Sequence, residues 1–114
     1  MRPALLGFSN LFIGAAGSNN SGFGYSAAVG QMVYNESNAS AVFGNSQYNK
    51  GNSSLLAGRQ HINSKMNAFL AGQGHDTTNG SNGVAAVGQF SNITANTAFA
   101  VGNGSSHTNR KNAL

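Results

Sequence analysis

The chain has very few of the residues that usually cross-link small proteins or mark them as enzymes. Of its 114 residues none is cysteine or tryptophan, one is proline, and 7% are charged. Without cysteine the chain can form no disulfide and no thiolate metal site. It has no run of about 18 apolar residues, so we predict no membrane insertion. The low charge also differs from that of a disordered, solvated tail.

Acidic residues are especially scarce, and this bears on catalysis. Glu36 and Asp76 are the only carboxylate side chains in the sequence. They are too far apart along the chain to suggest the carboxylate pair of a glycoside hydrolase. A calcium-binding β-roll would need an aspartate in every turn. We therefore predict no enzyme activity, no catalytic residue, no bound metal and no cofactor.

The positive charges are scattered along the sequence. The formal net charge is +4, from six Lys and Arg against the two acids. A nucleic-acid-binding surface would cluster its cations and interleave them with aromatic residues. We predict no nucleic-acid partner.

What the sequence does have is glycine, asparagine and a repeat. It contains 16 Gly and 17 Asn. A Gly closes a three-residue apolar triplet at intervals of 14 or 16 residues. These predicted corner glycines are Gly14, Gly30, Gly44, Gly58, Gly72, Gly88 and Gly102.

A repeat of 14 residues is too short for a pair of helices but long enough for two short strands and two turns. Coils of this kind stack at a strand spacing of about 4.8 Å. The sequence therefore predicts an all-β parallel solenoid of about seven coils over residues 1–104. Residues 105–114 follow the last predicted coil, and their sequence resembles the boundary segments that lead to a further C-terminal part in repetitive fibre proteins.

The triplets indicate how the coils pack. Successive side chains on a strand point to opposite faces, so a strand that is apolar at all three positions is predicted to be buried on both faces. One face would line the coil interior, and other copies of the same chain would cover the second. The predicted coil and oligomer core consists of Phe12, Val29, Val42, Phe43, Leu55, Leu56, Phe69, Leu70, Val87, Phe99 and Val101.

The second strand of each coil has a different pattern. Tyr34, Tyr48 and Ile62 recur at 14-residue spacing, and an Asn follows each of them. We expect these three apolar side chains to close the interior while their polar neighbours face water. The alternative is an exposed Tyr column that stacks on a sugar.

Two coils are longer than the others by two residues, at Ala15–Ser26 and at Gln73–Gly83. Insertions in solenoids become loops, and such loops often lie on the binding face. The second carries the set of hydrogen-bonding groups His75, Asp76, Thr77 and Thr78. We predict that any receptor contact in this chain uses the loop Gln73–Asn82, with these four residues as its candidate contacts. A metal or acid–base role for His75 and Asp76 is the less favoured alternative.

Several repeat units resemble a known family. The segments NAFLAG (67–72), GVAAVG (83–88) and TAFAVGNG (97–104) are similar to the head repeats of YadA-type trimeric autotransporter adhesins and to repeats of phage tail fibres. The resemblance implies a left-handed parallel β-roll, a homotrimer, and attachment to a glycan or protein receptor on a host cell.

These features favour a structural or attachment module of a trimeric surface fibre, on a virion as a phage tail fibre or spike. The alternative is the head of a bacterial trimeric autotransporter adhesin, at the cell surface. A polysaccharide-degrading tailspike segment is less favoured, because it would need an acidic groove. An ice-binding solenoid would need a regular Thr array, which the sequence lacks.

Overall fold

A computed structural model describes residues 4–5, 10–14, 19–20 and 26–114, with side chains described from Ser26 onward. All of the regular structure in these ranges is β-strand. The strands are β1 (Ala4–Leu5), β2 (Asn10–Gly14), β3 (Asn19–Asn20), β4 (Ser26–Asn35), β5 (Ala41–Asn49), β6 (Leu55–Arg59), β7 (Ile62–Asn63), β8 (Phe69–Gln73), β9 (Ala85–Gln89) and β10 (Phe99–Asn103).

The predicted parallel solenoid is confirmed. The triplet strands pair in the order β2, β4, β5, β6, β8, β9 and β10, and every pairing is parallel. This ladder makes about six turns that lie about 14 residues apart. The predicted corner glycines stand in register, since Gly30 pairs with Gly44, Gly44 with Gly58, and Gly58 with Gly72. The chain measures 38 × 23 × 15 Å, so it is a flattened rod.

At the corner glycines from Gly30 to Gly88 the chain turns through left-handed backbone conformations. The φ angle is +140° at Gly30 and +131° at Gly44. Residues two positions beyond the glycines, such as Met32 and Ser46, also have positive φ. A Cβ on Gly30 would lie 1.8 Å from the carbonyl oxygen of Gly44 in the next coil. Glycine is therefore required both by the angle and by the close approach of stacked coils.

The triplet strands alternate between inside and outside. The middle residue of each described triplet is fully buried, and these residues are Ala28, Val42, Leu56, Leu70, Ala86 and Ala100. The flanking residues point outward, as strand geometry requires. Phe43, Leu55, Phe69 and Phe99 are 38–55% exposed in the single chain, so none of them lies in the coil interior. Val29, Val87 and Val101 are half-buried, and the side chain of Phe12 lies outside the described residues.

The second half of each coil differs from our expectation. Tyr34 and Tyr48 are half-buried and Ile62 is 40% exposed, so these side chains face outward. The interior instead receives Asn35, Asn49 and Asn63, each with no exposed surface. The prediction that the Tyr and Ile side chains close the interior is therefore wrong. The buried amides are stable there because each finds hydrogen-bond partners in neighbouring coils.

The segment after β10 folds back along the last coil. Its backbone makes an antiparallel bridge between Gly102 and Asn112, in contrast to the parallel ladder. The Arg110 guanidinium donates to the carbonyl oxygens of Gly74 at 2.7 Å and Ser91 at 3.3 Å. Residues 105–114 therefore pack on the end of the described stack and occupy hydrogen-bonding groups of its last coil.

Candidate functional surfaces

An apolar stripe runs along the outward face of the triplet strands. Its large side chains are Phe43, Leu55, Phe69 and Phe99, and smaller residues fill the space between them. These smaller members are Ala27, Val29, Ala41, Ala57, Ala71, Ala85, Val87 and Val101. Parallel pairing places equivalent residues on top of one another, as Leu55 on Phe69, so the apolar surface is continuous along the rod. An exposed patch that extends over several coils is unusual for a protein that works as a monomer.

The interior behind the second half of the coils is polar. The Asn63 side-chain amide donates to Asn49 Oδ1 at 2.8 Å, and Asn49 donates to Asn35 Oδ1 at 3.1 Å. Thr77 continues this ladder, because its hydroxyl donates to Asn63 Oδ1 at 2.7 Å. The ladder links four successive coils and fixes their register through buried hydrogen bonds.

Two histidines lie beside this ladder. The imidazoles of His61 and His75 are fully buried and stacked, with centroids 5.1 Å apart and planes 3° from parallel. Nε2 of His61 lies 2.9 Å from the Ala57 carbonyl oxygen, and Nε2 of His75 lies 2.9 Å from that of Ala71. A proton on Nε2 donates to these carbonyls, and Nδ1 is then free to accept. Nδ1 of His61 accepts from the His75 backbone N–H at 3.2 Å.

Burial disfavours the charged form of both rings. It lowers the pKa of His61 to about 4, with the hydrogen bond to Ala57 opposing the shift and the neighbouring His75 adding to it. Burial also lowers the pKa of His75, and the nearby Arg110 cation lowers it further. Both rings are neutral at neutral pH. With both nitrogens engaged and no access to solvent, they have the properties of packing residues rather than of acid–base catalysts.

This placement corrects the predicted receptor contacts at two of the four residues. His75 and Thr77 are fully buried and point into the coil, so neither can touch a receptor. Asp76 and Thr78 do point outward, and Asp76 Oδ1 accepts from the Thr78 backbone N–H and hydroxyl. The His75–Asp76 pair is also divided between the two faces of the strand, which leaves no shared acid–base site.

The two additional residues of this coil lie in its second turn. Thr77 bonds Asn63, which is 14 residues earlier, so the 14-residue register holds as far as Thr77. In the next coil, Ser91 bonds His75, which is 16 residues earlier. The insertion therefore lies between Thr77 and Val84, where the Gly80 N–H donates to the Thr77 carbonyl and makes a tight turn. The other long coil, Ala15–Ser26, lies mostly outside the described residues.

A shallow groove lies on the outward face of the second half of three successive coils. We call it the tyrosine groove; its volume is about 260 Å³, and it is lined by Met32, Tyr34, Ser46, Gln47, Tyr48, His61 and Ile62. The two Tyr rings have centroids 6.0 Å apart and are tilted by 39°. At one rim the Tyr48 hydroxyl donates to Glu36 at 3.2 Å, and the Lys50 ammonium lies 5.4 Å from the Tyr48 ring centre.

The two carboxylates are not brought together. Asp76 bridges to Ile62, which pairs with Tyr48, which pairs with Tyr34, so Asp76 lies three coils from the coil of Glu36. At about 4.8 Å per coil this is roughly 14 Å, beyond the separation that glycoside hydrolases use. Among the described residues, no group of three or more His, Cys, Asp and Glu side chains is placed to hold a metal ion. The same ranges contain no helix long and apolar enough to cross a membrane.

The buried Asn ladder and the His stack were missed by the sequence reasoning, although a signal for both exists. Asn35, Asn49 and Asn63 recur at intervals of 14 residues, as do His61 and His75. A column of identical polar residues at the coil period is a sign of stacked, mutually bonded side chains.

Comparison of the chain with protein-family models, with curated proteins and with solved structures gave no match.

Proposed function

We propose that the chain is a structural module of a homotrimeric surface fibre that attaches to a host cell, with a left-handed coil path and a location on a phage tail fibre or spike. The observation that carries this proposal is the apolar stripe. Water cannot be excluded from it within one chain, because every described coil presents the same outward face. A second surface with the same stripe and the same coil spacing would complement it.

The stripe supports self-association in energetic terms. Burial of four half-exposed large side chains contributes on the order of 1 kcal/mol for each of them in each chain. Because the stripe runs parallel to the rod, copies can close around an axis that is also parallel to the rod, as a cyclic oligomer. The number three comes from the resemblance to trimeric fibres. The scattered charge, the separated carboxylates and the buried histidines favour a non-enzymatic role.

The oligomeric state tests this proposal most directly. Light scattering of the purified chain should give a mass of about 35 kDa, three times the 11.6 kDa of one chain. The double substitution Leu55→Ser and Phe69→Ser should abolish the trimer, because it places hydroxyls in the centre of the stripe. Met66→Ser is the matched control, since Met66 is 46% exposed but lies outside the stripe.

Attachment is tested separately by the binding of fluorescently labelled chain to a panel of bacterial and animal cells. Wild type and Met66→Ser should bind one class of cell, and the double variant should bind it far more weakly because avidity is lost. A wild-type chain that is folded and monomeric at tens of micromolar would overturn the proposal of a trimeric fibre.

A further inference from the structure

The tyrosine groove remains unoccupied by the proposed assembly. The stripe lies on the half of each coil before the corner glycine, and the groove lies on the half after it. Both halves share one interior, as the bond from the Asn35 amide to the Ala27 carbonyl shows. Their outward faces therefore point in different directions, and an oligomer built on the stripe leaves the groove open.

The walls of the groove combine aromatic faces with hydrogen-bonding groups. Tyr34 and Tyr48 supply ring surface, while Met32 and Ile62 are 49% and 40% exposed beside them. Glu36 adds a carboxylate that accepts, and Lys50 adds an ammonium that donates, next to the same ring. An apolar platform bordered by a donor and an acceptor suits a ligand with an apolar face and hydroxyl groups around its edge.

One acceptor beside the groove has no partner. Gln47 lines the groove and its side chain is 1% exposed. Its amide nitrogen donates to the Phe43 carbonyl, but Oε1 has no hydrogen-bond partner in the described part of the chain. Gln47 and Tyr48 are neighbours on one strand, so the Gln47 side chain points to the opposite face, into the coil in the column of His61, and this acceptor does not face a ligand in the groove.

The size and backbone of the groove exclude a protein interface and an added peptide strand. About 260 Å³ is slightly below the usual range for small-molecule sites and far too small for a protein interface. A peptide cannot add to the sheet here, because the middle strand β5 is paired with a neighbour on each side.

We propose that the tyrosine groove binds a pyranose unit of a cell-surface glycan. One face of the sugar ring stacks on Tyr34 and Tyr48, and its hydroxyls bond Glu36 and Lys50. This inference rests on the proposed attachment function and supplies its receptor chemistry. In a trimer the groove occurs three times, so weak contacts with single sugars combine by avidity.

The test uses an array of immobilised neutral, amino and acidic oligosaccharides, with the wild-type chain and three variants. Tyr48→Ala should weaken binding at least tenfold, whereas Tyr48→Phe, which keeps the ring, should retain most of it. Met66→Ala is the control for loss of an exposed apolar side chain elsewhere. Saturation-transfer NMR with the bound sugar should give its strongest signals from protons on one face of the ring.

Circular dichroism and light scattering confirm that each variant is folded and has the wild-type mass. Wild-type binding to no glycan on the array would overturn the inference, and so would binding that Tyr48→Ala leaves unchanged. Attachment to cells that persists after their glycans are removed would show a protein receptor, which sinks this inference but leaves the attachment function intact. Loss of the trimer itself is read from the mass and concerns only the proposed function.

Discussion

At the scale of single residues, the corner glycines are the positions that the repeat constrains most strongly. Their spacing predicted where the chain turns, and the structure adds the reason. From Gly30 to Gly88, a carbonyl oxygen of the next coil occupies the space that a Cβ would need. The steric requirement is the same at Gly30, Gly44, Gly58 and Gly72, with clashes of 1.8 to 2.0 Å.

The substitution Gly44→Ala tests this requirement. Its Cβ would lie 1.8 Å from the Gly58 carbonyl oxygen at a φ of +131°, so we expect destabilisation of more than about 3 kcal/mol or failure to fold. Gly83→Ala is a matched control, because Gly83 also has a positive φ, +80°, but its added Cβ meets nothing within 4 Å. The control should cost only about 1 kcal/mol. Equal effects of the two substitutions on the urea unfolding midpoint would contradict the steric explanation.

The buried histidines make stability depend on pH. The pKa of His61 is about 4 in the folded chain and near 6.5 when unfolded, so between these values the unfolded state binds more protons. Stability is therefore complete above about pH 6.5 and decreases as the pH falls toward 4. For His61 the total loss is about 3 kcal/mol, and the lowered pKa of His75 acts in the same direction.

Urea unfolding at pH 7.5 and pH 5 measures this effect. The wild-type midpoint should decrease at pH 5. His61→Gln should remove much of the difference, because Gln does not titrate. Gln should fit this position, since Gln47 occupies the equivalent position in the previous coil. A wild-type midpoint that is the same at both values would show that the two rings titrate normally.

At the scale of the strand, the sequence predicted the elements better than the faces they bury. The triplet strands, their length and the corner positions were recognisable because apolar residues and glycine mark them. The pattern of the second strand predicts Tyr34 inside, because apolar side chains usually lie in the core. In a strand, a shift of one residue exchanges the two faces, and the Asn ladder determines the choice here by mutual hydrogen bonding.

The substitution Asn49→Asp tests the Asn ladder. The Asn49 amide donates to Asn35 and Ser37 and its oxygen accepts from Asn63, so Asp removes two donors and buries a charge. We expect a loss of about 3 kcal/mol or more in unfolding free energy at pH 7. Asn45→Asp is the control on the exposed face of the same strand and should change stability by less than about 0.5 kcal/mol. A midpoint equal to that of the control would rule out a structural role for the ladder.

The long coil between Gly72 and Gly88 shows again that the sequence predicts an element better than the placement of its residues. Its excess of two residues was visible in the spacing of Gly72 and Gly88, but the spacing does not say which half of the coil carries it. His75 and Thr77 seemed available because they are polar. The structure places them in the columns of His61 and Asn63, and it moves the insertion into the turn that follows.

At the scale of the whole molecule, the chain has two apolar faces of different character. The interior column, with Leu56 and Leu70, is complete within one chain. The stripe, with Leu55 and Phe69, remains partly exposed to solvent in one chain. The sequence predicts both faces from the three apolar triplet positions but groups their residues in one list, and the alternation along the strand assigns each residue to the interior or to the stripe.

Adjacent residues of one triplet can separate these two roles experimentally. Leu70→Ala opens a cavity in the coil interior and should lower stability by about 2–5 kcal/mol at every protein concentration. Phe69 is 40% exposed in the single chain, so Phe69→Ala should affect the coil little and the assembly strongly.

If copies of the chain cover the stripe, the wild-type melting temperature must rise with protein concentration by mass action. We expect Phe69→Ala to reduce this concentration dependence. Leu70→Ala should lower the melting temperature at every concentration but leave its dependence on protein concentration unchanged. Calorimetry over a hundredfold range of concentration measures both quantities. A wild-type melting temperature that does not vary with concentration, in a chain that light scattering shows to be monomeric, would mean that copies of this chain do not cover the stripe.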